Sequence, residues 1–149
     1  MSGSSTQVLL PARLTEQQRS QLNVFVRSAS GAAEVESFWL LGQPYSLSID
    51  DPGEEALRFN LAGWVPAQAI TICCHCRGKA GDLLLAFIAA RVAEMFSGLI
   101  ALGSRLESHT SNPSVLTADG RYRSEELGDV LTPACMNYWA GTPEFKMTN

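Results

Sequence analysis

Apolar residues recur along this chain with two periods, and the switches between them mark out its elements. Val8 to Ala12 (VLLPA) reads as a short first strand. Leu22, Phe25, Val26 and Ala29 then recur at i, i+3, i+4 and i+7, the stripe of an amphipathic helix. Thr15 with Gln18 three residues on is a capping box at its start, and Gly31 is placed to end it. The period changes to two through ESFWLLG, ending at Gly42, and through YSLSID, where Tyr45, Leu47 and Ile49 alternate with Ser46, Ser48 and Asp50. DDPGEE is a turn by its Pro-Gly and its charge. ALRFNLAGW alternates Leu57, Phe59 and Leu61 and reads as a further strand, and QAITICCHC as the next.

Asp82 is a candidate N-cap for LLLAFIAARVAEMFSG, whose charges, Arg91 and Glu94, share one side. Apolar residues cover most of the remaining circumference, which predicts a broadly buried helix ending at Gly98. LIALG returns as a strand. Residues 104–132 are polar and irregular, with Asp119-Gly120 as a two-residue hairpin turn that puts GRYR at an exposed tip. Thr132, Pro133 and Gly141 bracket a last helix, and PEFKM closes as a short strand. The sum is one α+β domain over 1–149, a mostly antiparallel sheet with two main helices on one face. Residues 1–6 read as a disordered leader.

Strand alternation decides how the crowded cysteines are read. In ITICCHCR, Thr71, Cys73, His75 and Arg77 share a polar face, while Ile70, Ile72, Cys74 and Cys76 share an apolar one. Cysteines on an apolar face pack as small hydrophobes. Zinc needs four converging ligands, and beyond this strand only His109 and Cys135 remain, each isolated. Cys73-x-x-Cys76 would split across the two faces instead of meeting at a helix N-terminus, where a redox thiol is activated. No metal or other cofactor is expected.

The net charge of −4 argues against nucleic acid, whose binding needs a basic face, and against anionic membranes. No run reaches the ~18 apolar residues of a spanning helix. Three clustered thiols in place of a spaced disulfide framework suit a reducing cytoplasm. GKAGD lacks the Lys-Ser/Thr ending of a phosphate loop, and LGSRL around Ser104 lacks the second glycine of a nucleophile elbow. The densest charge cluster is Asp50, Asp51, Glu54 and Glu55, which reads as a solvated turn or as an acidic surface for a basic partner. Arg121, Tyr122 and Arg123 are a second candidate patch of the kind enriched in binding hot spots. The tryptophans are expected mostly in the core, Trp64 beside Pro66 at a rim.

Three stretches, SFWLLG, ICCHCRGKAGDLLLAFIAARVAEMFSGLIALGSRL and YWAGTPEFKM, together resemble a family of small uncharacterised bacterial proteins with a domain of unknown function. The likeness covers about half of the chain, in packing and capping residues. Small acidic proteins of this kind are similar to immunity proteins, which neutralise a toxin made by the same bacterium. The expectation is a cytoplasmic binding protein that occludes a cognate toxin or effector, with self-association into a homodimer as an additional arrangement. The alternative is a small hydrolase-like enzyme using Cys73 and His75.

Overall fold

The computed structural model describes residues 3–30, 37–60, 62–75 and 78–147. Gly31, Leu61, Cys76 and Arg77, singled out above, lie outside them. Among the described residues seven strands form one sheet: β1 (Ser5–Leu10), β2 (Ser37–Leu40), β3 (Gln43–Asp50), β4 (Gln68–Cys74), β5 (Leu99–Ala101), β6 (Arg121–Ser124) and β7 (Gly128–Leu131). Their order is β2-β3-β4-β1-β5-β7-β6, and every paired neighbour is antiparallel. β4 and β5 flank β1 and are joined by an 18-residue helix that packs across it. The helices are α1 (Glu16–Ser30), α2 (Glu54–Leu57), α3 (Lys79–Phe96), α4 (Pro113–Leu116) and α5 (Pro133–Ala140). The α+β class and the mostly antiparallel sheet agree with the sequence pattern.

Period-two alternation sorts the sheet into two unlike faces. Val8, Leu10, Tyr45, Leu47, Ile70, Ile72, Cys74, Ile100 and Leu131 point to one side and join α1, α3 and α5 in the main core. α3 carries Ala86, Ala89, Ala90 and Ala93 among its buried residues, small side chains that let its neighbours approach closely. The opposite face holds a smaller cluster of Leu9, Ala56, Phe59, Ala69, Leu99, Ala101, Leu127 and Val130, with Trp64 and Tyr122 against it. Phe59 meets both of these rings edge-on at 6.1 to 6.2 Å.

Several expectations are corrected. Ser5 and Thr6, read as leader, belong to β1, and Thr6 Oγ1 donates to the Ala101 carbonyl at 3.0 Å. The stretch read as a strand around Leu57 and Phe59 opens as α2. Glu54 and Glu55 occupy its first turn, where negative charge suits the helix dipole, and Leu57 is left half exposed. Asp82 does not cap α3, which begins three residues earlier, after Gly78. It is buried, and its carboxylate accepts from Ser4 Oγ (2.9 Å) and from the Met147 backbone N–H (3.1 Å). This one side chain ties residues 4 and 147 to the same helix.

The closing PEFKM is not a strand. Phe145 packs edge-on against the fully buried Trp139, ring centroids 5.4 Å apart, and Met147 is buried. Gly98 does follow the end of α3, but Ser97 supplies the left-handed residue (φ 55°). Gly98 is required by proximity: a Cβ there would lie 2.6 Å from the Leu9 carbonyl oxygen. Arg91 and Glu94 of α3 face solvent as expected, but Leu83 and Phe87, expected to be covered, face it too. Trp39, expected inside, is 64% exposed.

Candidate functional site, the open face of the sheet

α2 and the second cluster cover only part of the sheet's second face. The remaining part is polar. β4 contributes Thr71 and Cys73, β1 contributes Ser5 and Gln7, and β3 contributes Ser46, Ser48 and Asp50, brought side by side by the register Ser5↔Cys73, Gln7↔Thr71, Ser46↔Cys73 and Ser48↔Thr71. The same alternation puts Trp39 of β2, opposite Pro44, at the edge of this face. Gln7 Nε2 reaches Thr71 Oγ1 at 3.4 Å on the floor.

Over that floor lies a cleft of about 280 Å³ lined by Ser5, Gln7, Thr71, Glu55, Glu126 and Leu127. A second hollow of about 320 Å³ shares Gln7, Glu55 and Leu127 with it and adds Glu54. One lip is the first turn of α2, and the other is the turn between β6 and β7, so two acidic segments distant in sequence, with Glu55 and Glu126, meet across the cleft. The sequence pattern singled out Glu54 and Glu55. It missed Glu126, Gln7 and Thr71, because only the sheet order places β1 beside β4 and the β6–β7 turn opposite α2. The alternation of β4 was the one sequence signal that marked Thr71 as facing away from the main core.

The other expected residues fall in different places. Asp50 accepts from Ser48 Oγ at 2.8 Å, and Asp51 pairs with Arg13 at 2.7 Å in full solvent. Arg121, Tyr122 and Arg123 are not at a hairpin tip. Asp119-Gly120 precedes β6, and the hairpin turn falls at residues 125–127. The three alternate within β6, so they cannot form one patch. Tyr122 packs in the second cluster. Arg121 turns inward: its side chain is 8% exposed and its guanidinium bonds Asp129 at 2.9 Å, Glu107 at 2.5 Å and the Leu116 carbonyl at 2.8 Å. Arg123 is exposed and pairs with Glu107.

Cys74 and Cys135 are buried thiols, and burial pushes Cys135 up from its ordinary value, which keeps it protonated. Cys73 is half-buried on the open face, across from Ser46, whose hydroxyl lies 2.8 Å from His75 Nε2. A second such contact joins Ser104 Oγ and His109 Nε2 at 3.2 Å, and burial followed by nearby Lys146 lowers His109 below its usual value. Among the described residues no group of three or more His, Cys, Asp or Glu converges as metal ligands would. No described helix is long and apolar enough to cross a membrane.

Neither a curated protein nor a solved structure matches the chain. A family does, described as a family of unknown function (DUF6368), over residues 2–149. The chain, matched across essentially its whole length, therefore belongs to the DUF6368 family.

Proposed function

We propose that this protein is an immunity-type binding protein of the bacterial cytoplasm, which neutralises a cognate toxin or effector by covering its active site. The observation that carries this reading is the acidic cleft on the open face. A sheet floor of Gln7 and Thr71 lies between lips bearing Glu54, Glu55 and Glu126, and Asp50 and Asp51 precede α2 in the chain. The exposed Trp39 lies on the same face as an aromatic anchor of the type that dominates binding energy. Carboxylates held on lips steer a basic partner toward the floor, raising its rate of capture. The partner is a basic protein domain such as a nuclease or another nucleotide-handling toxin, whose own active site carries the complementary charge. Arg121 is buried and Arg123 lies with it on the helical side of the sheet, paired with Glu107, so both leave the contact set.

The test is co-expression with the toxin domain encoded beside this gene. Wild-type protein rescues growth and forms a complex, whereas E54K/E55K/E126K remains folded and loses both. Failure of the wild type to rescue and to bind overturns the reading.

A second reading keeps one specific observation: Cys73, Ser46 and His75 are adjacent on the open face. A thiol- or His-dependent hydrolase would use them. C73S/H75A separates the two, because it abolishes an enzymatic activity and leaves the acidic lips of a binding protein intact.

A further inference from the structure

The opposite side of the molecule carries a different kind of surface. Leu83 and Phe87 of α3 are 39% and 51% exposed, Val24 of α1 is 63% exposed, and Tyr138 of α5 is 50% exposed. Between α1 and α3 an open groove of about 450 Å³ is lined by Val24, Phe25 and Met95 with polar Gln17, Gln21 and Arg91. Large apolar side chains gathered on one face across three helices mark an interaction surface.

The charge order along α3 points to what covers it. At 100° per residue, Lys79, Leu83, Phe87 and Glu94 fall within an arc of about 80°. Read along the axis, this stripe is basic at one end, apolar in the middle and acidic at the other, and all four residues are exposed. Such a stripe is complementary to itself when reversed. Two copies of α3 packed antiparallel about a two-fold axis beside Phe87 place Phe87 on its symmetry mate. They also place Lys79 of each chain against Glu94 of the other, twice over. Lys79 Nζ already donates to the Pro143 carbonyl at 3.1 Å, and an ammonium has two further donors. Arg91, bonded to Glu94 at 3.1 Å, comes opposite Leu83, where its stem adds apolar cover.

We infer that the protein forms a two-fold symmetric homodimer through the outer face of α3, flanked by α1 and α5. The occupant of this face is a second copy of the chain. The acidic cleft lies on the other side of the sheet, so each protomer keeps it open, and the dimer presents two such clefts facing away from each other. The inference does not depend on what the cleft binds.

Sedimentation of the purified protein from micromolar to sub-millimolar concentration tests it. The wild type is expected to associate to a dimer, and F87D, checked for folding by circular dichroism, to remain monomeric. K79E and E94K are each expected to weaken the dimer at least about tenfold, since each sets like charges together at both symmetric contacts. K79E/E94K restores it. Lys79 and Glu94 are 15 residues, about 22 Å, apart in one helix, so their mutual rescue requires a second chain. A simple net-charge effect would move the two single variants in opposite directions. A wild type that stays monomeric, an F87D protein that still dimerises, or a double variant that is not rescued overturns the proposal. A monomer that binds another protein through Phe87 assigns the face to that protein and equally overturns it.

Discussion

Arg121 and Asp129 show how far one side chain can depart from the role its type suggests. Both are buried, and Asp129 also accepts the Leu106 backbone N–H at 2.7 Å, so the pair fixes the 3-10 turn at Leu106–Ser108 to the β6–β7 edge. Arg121 Nε and Asp129 Oδ1 have no hydrogen-bond partner among the described residues, so the desolvation of both charges is incompletely offset. Removing one partner strands the other charge, and Arg121→Ala is expected to destabilise by about 3–5 kcal/mol in urea titrations. R121M/D129L is expected to cost much less than the sum of its single changes.

Leu41 illustrates the opposite case. It sits at φ 48° beside Gly42 in the two-residue turn between β2 and β3, 82% exposed. A left-handed leucine costs about 1–2 kcal/mol, and Asn is the residue such turns prefer. Leu41→Asn therefore raises the denaturation midpoint, by about 1 kcal/mol of stability, because no buried contact is lost.

His109 adds a pH dependence. Its folded value lies below 6.5, so the folded state holds fewer protons there than the unfolded chain. Its contribution is complete above pH 6.5 and is lost as pH falls through the lowered value. Glu144, lowered from 4.5 by a backbone hydrogen bond and by Thr110, acts in the same sense at still lower pH. The denaturation midpoint should fall on acidification from pH 7, with a flatter slope below 6.5 in His109→Gln.

At the scale of elements, caps and turn residues gave the clearest local signals. Thr132 Oγ1 accepts the Cys135 N–H at 3.2 Å with Pro133 at the first helical position, as the pattern requires, and Thr132→Ala should lower stability by about 1 kcal/mol in thermal melts. The Thr15–Gln18 box forms in both directions, at 3.1 and 2.9 Å. Alternation was equally legible where a strand has one wet face, as in β3 and β4. It misled at Leu57 and Phe59, because two apolar residues two apart also fit a helical turn followed by a bend, and the charge of Glu54 and Glu55 decided for the helix. Asp82 looked like a cap because nothing local reveals that Ser4 and the Met147 N–H converge on it.

At the scale of the whole molecule, the two sides of the sheet offer different surfaces. Glu54, Glu55 and Glu126 line the cleft on one, and Val24, Leu83, Phe87 and Tyr138 are exposed on the helical layer of the other. The role proposed for the cleft predicts kinetics: E54K/E55K should slow association with a basic toxin domain about tenfold at low salt and flatten the salt dependence, while the dissociation rate changes little. Stopped-flow binding at two ionic strengths measures both.

The order of apolar and polar residues by itself determined that this chain is α+β, where α1 and α5 begin, and that Cys74 faces the core while Cys73 does not. These are consequences of local periodicity and capping, which act over a few residues. Tertiary structure alone decided that β1 inserts between β4 and β5, that Glu126 faces Glu55 across Gln7 and Thr71, that Arg121 is interior, and that Phe87 is not. Those outcomes depend on which strands neighbour one another and how much of each face remains uncovered. That is set by the global competition to bury apolar surface, which no short window of sequence contains.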